Sequence, residues 1–332
     1  DLWVTPESRN AFMMRSKMMS LTRHFLEERG FIEVETPIFH PIPGGANARP
    51  FTTHHNALDL ELYMRVAPEL YLKRLTVAGF DKVFELGRVF RNEGVSTRHN
   101  PEFSMLELYQ AYADYEDIMN LVEELVEYLA IELTGSTVLH FGDKPLDVAR
   151  PWRRASMIEL IKEATGEALS LEMPIDEIRK VADKYGVPYR ETYGVGKLVL
   201  EIYEKTTESN LWGPIYVTEH PSEVSPLARE HRDKPGVTER FEAILAGREL
   251  CNAFSELTDP DEQRRRFESQ AAQKADGDDE AMTVDEDYLR ALEFGMPPTG
   301  GLGIGMDRLA MLLTGVGTIR DVVLFPTLRP EK

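Results

Sequence analysis

Three groups of residues in this chain are hard to explain as packing alone. The first lies in residues 83–112. Segments 83–91 (VFELGRVFR) and 103–112 (FSMLELYQAY) read as two strands joined by a polar loop, which Pro101 keeps from running on as helix. Side chains alternate across a strand, so Phe103, Glu107 and Tyr109 share one face, as do Arg91 and, just beyond it, Glu93. The loop adds Arg98, His99 and Asn100. One side of this hairpin therefore offers a cation, two acids and two aromatics. A solvated face laced with ion pairs is the competing reading, but the run Arg91-Asn92-Glu93-Gly94 is hard to place in a core.

The second group is acidic. Phe241–Leu245 and Arg248–Phe254 read as a hairpin around Ala246-Gly247. A two-residue turn sets Ile244 opposite Glu249 and leaves Glu242 diagonal to Glu249 on the same face. Two carboxylates so placed can hold a hard divalent cation such as Mg²⁺ that bridges phosphates; a pair of exposed surface acids is the alternative. Simple alternation sends Asn252, Phe254 and Glu256 to the other face, so a bulge or bend must intervene if all five serve one site. The third group is Gly301-x-Gly303-x-Gly305. Glycines at spacing two weaken a strand, which suggests a flat ligand lying against that face. No βαβ unit surrounds them, so a dinucleotide fingerprint is not indicated. Neither a G-x-x-x-x-G-K-[ST] phosphate loop nor an H-E-x-x-H zinc helix occurs.

These residues need elements to hold them. Ala11, Met14, Met18, Leu21 and Phe25 step by three or four, an amphipathic helix stopped by Gly30. Phe31–Pro37 is extended and closed by proline, and Pro41–Gly45 is a loop by composition. Residues 62–78 read as a short strand, then a helix opening near Pro68. Residues 114–133 are an acidic amphipathic helix, 153–211 a small helical insertion, and 215–219 a strand. The acid run Asp276–Asp287 reads as a solvated loop or helix start. A glycine-laced strand, Leu302–Met306, precedes a helix from Asp307 to Thr314. Strands joined by hairpins more than by crossovers favour an α+β fold with an antiparallel sheet.

Composition limits the function. The 332 residues carry 38 Lys+Arg and 57 Asp+Glu, a net charge of −19. That argues against a general nucleic-acid coat, whose affinity comes from neutralising phosphates. No run reaches the ~18 apolar residues of a membrane span, and no signal peptide is evident. The single Cys251 excludes an internal disulfide and a cysteine metal cage, in keeping with a reducing cytosol.

Taken together, the signatures resemble the class II aminoacyl-tRNA synthetases, and within them the class II lysyl-tRNA synthetases. Phe31–Pro37 (FIEVETP) resembles the first class signature, which builds the dimer interface. Phe90-Arg91-Asn92-Glu93 with Arg98–Phe103 (RHNPEF) resembles the second, and Gly301–Arg308 (GLGIGMDR) the third. Lysine-type signatures surround them in Gly44–Phe51 (GGANARPF), Ala67–Arg74 (APELYLKR), Met105–Tyr109 (MLELY) and Asn252–Leu257 (NAFSEL). The resemblance implies an antiparallel sheet flanked by helices that binds ATP in a bent form. It gives Arg91 the α-phosphate and the amino-acid carboxylate, and Glu93 the adenine amino group. His99, with Asn100 beside it, faces the distal phosphates. Phe103 and Arg308 cover the two sides of the adenine, and Glu242 and Glu249 bind Mg²⁺. Glu69 and the Gly45 backbone take the α-amino group, Glu256 and Tyr109 the ε-ammonium, and Asn252 helps with the carboxylate; Glu107 and Phe254 complete the pocket.

Three acids and one arginine suit a diamine better than aspartate, whose side-chain carboxylate would meet like charge. The implied activity is formation of lysyl-adenylate and transfer to tRNA(Lys) by a cytoplasmic homodimer joined through Phe31–Pro37. Residues 1–332 would be the catalytic domain. The OB-fold anticodon reader is not among them, so tRNA binding by this chain alone is expected to be weak. A short paralogue that lysylates elongation factor P, a membrane-linked lysyl-transfer enzyme and an inactive scaffold are the other expectations. The intact Arg91, Glu93, Glu249 and Arg308 speak against the last.

Overall fold

The structure is a computed structural model, which describes residues 2–275 and 282–328. The first elements are α1 (Pro6–Glu27), β1 (Ile32–Glu33), β2 (Phe39–His40), β3 (Thr52–His55), β4 (Leu60–Met64) and α2 (Glu69–Val77). Next come β5 (Lys82–Phe90), β6 (Glu102–Ala111), α3 (Tyr115–Thr134), β7 (Val138–Phe141), β8 (Lys144–Asp147) and β9 (Arg153–Ser156). They are followed by α4 (Met157–Thr165), α5 (Ile175–Lys184), α6 (Val195–Thr206), β10 (Ile215–Thr218), β11 (Arg240–Leu245) and β12 (Arg248–Ser255). The chain closes with α7 (Pro260–Ala275), α8 (Glu286–Glu293), β13 (Thr299–Gly305) and α9 (Met306–Thr314). Residues 276–281 of the acid run lie outside the described residues; Asp285 caps α8 by accepting from the Tyr288 N–H.

Eight strands form one sheet in the order β1-β5-β6-β13-β12-β11-β10-β9. The six central strands are antiparallel, as expected. Both outer strands pair parallel, β1 with β5 and β9 with β10, so the sheet is mixed rather than wholly antiparallel. Parallel pairing requires a long crossover. The helices α4–α6 supply it between β9 and β10, so the stretch read as an insertion is also the link that sets the strand direction.

The back face of the sheet is apolar. Phe84, Leu106, Leu108, Phe241, Ala253, Leu302 and Ile304 pack beneath Met18, Leu26, Met119, Val122, Leu129 and Leu309 of α1, α3 and α9. α3 starts and stops where its sequence directs. Asp114 and Asp117 form a capping box, and Gly135 ends the helix in the left-handed region. Arg15 of α1 ties this layer to the sheet through Asp307 at 2.5 Å, and Asp307 in turn accepts from the Ser104 N–H at 2.7 Å.

The front face is covered only at its ends. At one end Ala155, Ile215, Val217 and Ile244 lie under Met157, Leu160, Ile178, Leu198 and Ile202. At the other, Val83 and Tyr109 lie under Leu72 of α2, while Leu70 packs against Phe267, Tyr288 and Leu289 of α7 and α8. The stretch between carries polar side chains. Among the described residues no helix is long and apolar enough to cross a membrane.

Candidate active site

The uncovered front face forms a cleft of about 380 Å³, and all fifteen residues singled out from the sequence line it. The hairpin of β11 and β12 explains how the two acidic positions reach the same place as the rest. Ala246 and Gly247 both have positive φ, the geometry of a two-residue turn that follows the twist of the strands. Ile244 then pairs with Glu249, but Ala243 pairs with Cys251, so Leu250 is an extra residue on β12. This bulge restores the alternation, and Glu249 joins Asn252 and Phe254 on the face of Glu242. The bend that the sequence required is therefore present, and it sits at Leu250.

The deep end of the cleft is a buried cluster of charge. Glu69, Glu107, Tyr109 and Glu256 are almost fully buried. Burial pushes the Glu107 carboxyl well above its ordinary range; the Glu69 charge adds to this and Arg91 opposes it. Burial likewise raises Glu69 and Glu256, against the pull of Lys73. Tyr109 donates to Glu107 Oε2 at 3.3 Å. Oε1 of Glu256, Nε of Arg91 and the Tyr288 hydroxyl are buried here without a hydrogen-bond partner, and Oε2 of Glu256 has only its ion pair with Lys73. The Arg91 guanidinium lies 5.2 Å from the centre of the Phe103 ring. Burial lowers its pKa, and Glu93, Glu249 and Glu107 counter that.

The other end is open. Arg308 donates to the Glu249 carbonyl at 2.7 Å and lies 3.3 Å from its carboxylate. Nε2 of His99 lies 3.5 Å from Arg308, and Nδ1 contacts the Ser96 hydroxyl at 3.0 Å. Burial and the Arg308 charge lower the His99 pKa. Asn100 lines the cleft, but its amide donates to the Glu102 carbonyl and accepts from the Thr327 N–H, which anchors the loop to the C-terminal segment.

The glycine strand runs along the cleft, and its first two glycines also meet side chains of this chain. A Cβ on Gly301 would stand 1.8 Å from Glu256 Oε1, and one on Gly303 would stand 2.7 Å from Met105 Cε. The space at these two positions is thus filled by side chains of this chain. Gly301 leaves room for the Glu256 carboxylate and Gly303 for the Met105 side chain, and all three glycines line the cleft. Only at Gly305 is the room ordinary.

Three residues missed in the sequence belong to this site. Arg240, two residues before Glu242 and so on its face, pairs with Glu242 at 2.6 Å and donates to Asn252 Oδ1 at 3.0 Å. Lys73 stands between Glu69 and Glu256; its place one turn after Glu69 was the available signal. Glu208, beyond α6, is pushed up to about 7 by burial and by the charges of Glu242, Glu249 and Glu204. Carboxylates so crowded suit a hard cation. Among the described residues no group of three or more His, Cys, Asp or Glu side chains could hold one unaided. A cation at Glu242 and Glu249 would therefore complete its shell with water or ligand oxygens.

The comparisons with known proteins point the same way. Residues 1–329 match the family model described as tRNA synthetases class II (D, K and N). The chain is 55% identical over 329 residues to a lysine–tRNA ligase of Shouchella clausii, covering 99% of this chain and 66% of that protein. It is 52% identical to the lysine–tRNA ligase of Bacillus subtilis over the same 329 residues, with the same shares covered. With that of Carboxydothermus hydrogenoformans it shares 53% over 332 residues, 68% of that protein. The chain thus spans about two thirds of the length of these relatives. On the match over nearly its whole length, and on the antiparallel strands that carry its cleft, the chain belongs to the class II tRNA synthetases of the D, K and N group.

Proposed function

We propose that this chain activates L-lysine with ATP to lysyl-adenylate and passes the lysyl group to tRNA(Lys). The observation that carries the reading is the pair of unpartnered buried atoms, a cationic donor on Arg91 and an anionic acceptor on Glu256, lining one cleft. A lysine carboxylate meets the first and its ε-ammonium the second, while Glu69 serves the α-ammonium. Aspartate and asparagine lack the distal cation, and aspartate would bring a carboxylate into a site with three acids. A pocket that leaves charged groups unpaired with the wrong substrate rejects it strongly. The Lysine–tRNA ligase names of the relatives support lysine and a tRNA acceptor over a protein acceptor.

In this reading no side chain is the nucleophile. A carboxylate oxygen of lysine forms the new bond to the α-phosphorus, the bond from that phosphorus to the β-bridging oxygen breaks, and pyrophosphate leaves. Arg91 stabilises the charge that gathers on the α-phosphate. Phe103 stacks on the adenine, Arg308 covers its other side, Glu93 accepts from its amino group, and His99 and Arg308 face the distal phosphates. Asn252, held by Arg240, aligns the lysine carboxylate. Positioning does much of the rest. Glu242 and Glu249 would hold Mg²⁺, which when bound neutralises phosphate charge.

We read residues 1–332 as the catalytic domain and 153–211 as an insertion within it, and place the enzyme in the cytoplasm as a homodimer. Exposed Ile32 within the Phe31–Pro37 segment, and exposed Ile38 and Phe39 just after it, favour that dimer face. The test is pyrophosphate exchange into ATP with lysine, aspartate or asparagine, followed by charging of tRNA(Lys). Exchange with lysine alone is expected; exchange driven by aspartate or asparagine instead would sink the assignment.

A further inference from the structure

Lys73 has no solvent exposure. Its Nζ lies 2.5 Å from Glu69 Oε1, pairs also with Glu256 Oε2, and stands 5.4 Å from the centre of the Phe254 ring. A buried ammonium tends to lose its proton; here Glu256 and Glu69 outweigh burial and keep its pKa above the ordinary lysine range. Nothing in the activation scheme uses this cation. Yet it touches the two carboxylates that the proposed function assigns to the two substrate ammoniums, and the inference rests on that reading. With Arg91 reserved for the substrate carboxylate, Lys73 is, among the described residues, the one cation of this chain set between Glu69 and Glu256. The pairing also has a direction. Lys73 takes Oε2 of Glu256 and leaves Oε1 unpartnered beside Gly301.

We propose that Lys73 is a positioning residue that tunes the amino-acid pocket: its ammonium favours the ionised forms of Glu69 and Glu256 and aims them, so an incoming diamine meets two ready acceptors. Without it three buried acids would face one another, and such a group takes up a proton. Lysine would then have to displace that proton. The other groups around the cluster keep their charge state near neutrality. The guanidinium groups of Arg91, Arg240 and Arg74 face it, and burial holds Tyr109 of β6 and Tyr288 of α8 neutral. Asp285 is engaged by Arg74 at 3.0 Å, and Glu85, opposite Glu107, by Arg65 at 2.5 Å. The carboxylates of Glu69, Glu107 and Glu256 are the groups left to titrate.

The test is calorimetry of L-lysine binding between pH 6.5 and 8.5, in buffers of different ionisation heat, for the unaltered chain, Lys73→Met and Lys73→Arg. ATP binding serves as the control for folding. The unaltered chain is expected to bind lysine with flat pH dependence and no net proton exchange. Lys73→Met should bind at least about tenfold more weakly at pH 7 and release about one proton per lysine. Because the deprotonated acceptor is the binding form, affinity should rise with pH, by up to about tenfold per unit. Lys73→Arg should restore the flat profile.

Lysine affinity unchanged in Lys73→Met, or reduced by the same factor at every pH, overturns the inference; the second outcome is what a merely structural role would give. Should Lys73→Met fail to bind ATP, the unaltered chain decides: a proton released on lysine binding overturns the inference, and none released supports it. An unaltered chain that binds ATP but no lysine fails the proposed function itself.

Discussion

The two ends of the cleft solve opposite problems. At the deep end Lys73 and Glu256 are 0% and 2% exposed, and a charge left without a partner there is costly. Each acid therefore has a cation, a hydroxyl donor or a designated ligand group. At the open end the side chains of Arg308 and Glu249 are 31% and 39% exposed, and water shares the work of holding them. Discrimination belongs where solvent cannot substitute for the substrate. Capture of a polyanion belongs where charge can be reached and screened. Arg91 stands between the two and is counted by both.

The strongest break is expected at that junction. Arg91→Ala should lower lysine-dependent pyrophosphate exchange by about 10²–10³, the usual loss when a preorganised group at developing charge is removed. Saturating either substrate should not recover it. Recovery by lysine or by ATP alone would confine Arg91 to one end. Next, Glu256→Gln should raise the lysine KM at least about tenfold with ATP affinity unchanged, since a hydrogen bond to a charged group is worth about 1.5–3 kcal/mol. Equal losses for both substrates would erase the division of labour.

Smaller effects belong to the open end. Arg308→Ala should weaken ATP binding about three- to tenfold, and the deficit should shrink as salt is raised from 50 to 500 mM because the site is screened. A deficit indifferent to salt would show that the open end is as sealed as the deep one. The smallest effect concerns stability. The Glu208 pKa is raised to about 7, so the native state binds an extra proton between the ordinary carboxyl range and pH 7. Stability from this residue is then lost as pH rises through that window. Glu208→Gln should leave the melting temperature unchanged at pH 5 and raise it at pH 8. The gain should be of order 1 kcal/mol after allowing for solvent screening of a partly exposed group. A pH-independent difference would disprove the crowding of carboxylates at this edge.

The open end was largely legible in the sequence, because its residues sit in short stretches where strand alternation decides which way a side chain points. Even the irregularity at Leu250 followed from parity, since Glu242 and Glu249 could share a site with Asn252 and Phe254 only if one residue were surplus. The deep end was legible in its acids and not in its cation. A lysine on a helix belongs to water on statistical grounds. What buries Lys73 is the approach of α2 to Glu256, 183 positions along the chain, and no local pattern reports it. The glycines were legible as a spacing but not in what crowds them from within the chain. Their spacing signals that something lies against them, and Gly301 and Gly303 lie against Glu256 and Met105 as well as lining the cleft. Strand direction at the sheet edges was also out of reach, because it depends on where the α4–α6 crossover returns.

The surplus residue at Leu250 also acts as an indexing device. Upstream of it β12 counts in one phase and downstream in the other, so a single strand addresses both ends of the cleft from the same side. Removing Leu250 would leave Glu249 and Asn252 two positions apart, the spacing that regular alternation already sets on one face. A one-residue deletion there should therefore spare both the acidic edge and the amino-acid pocket, as should a substitution of Leu250 by another apolar residue. The phase of the strand on either side of Leu250, rather than the residue itself, is what keeps Glu249 and Asn252 together.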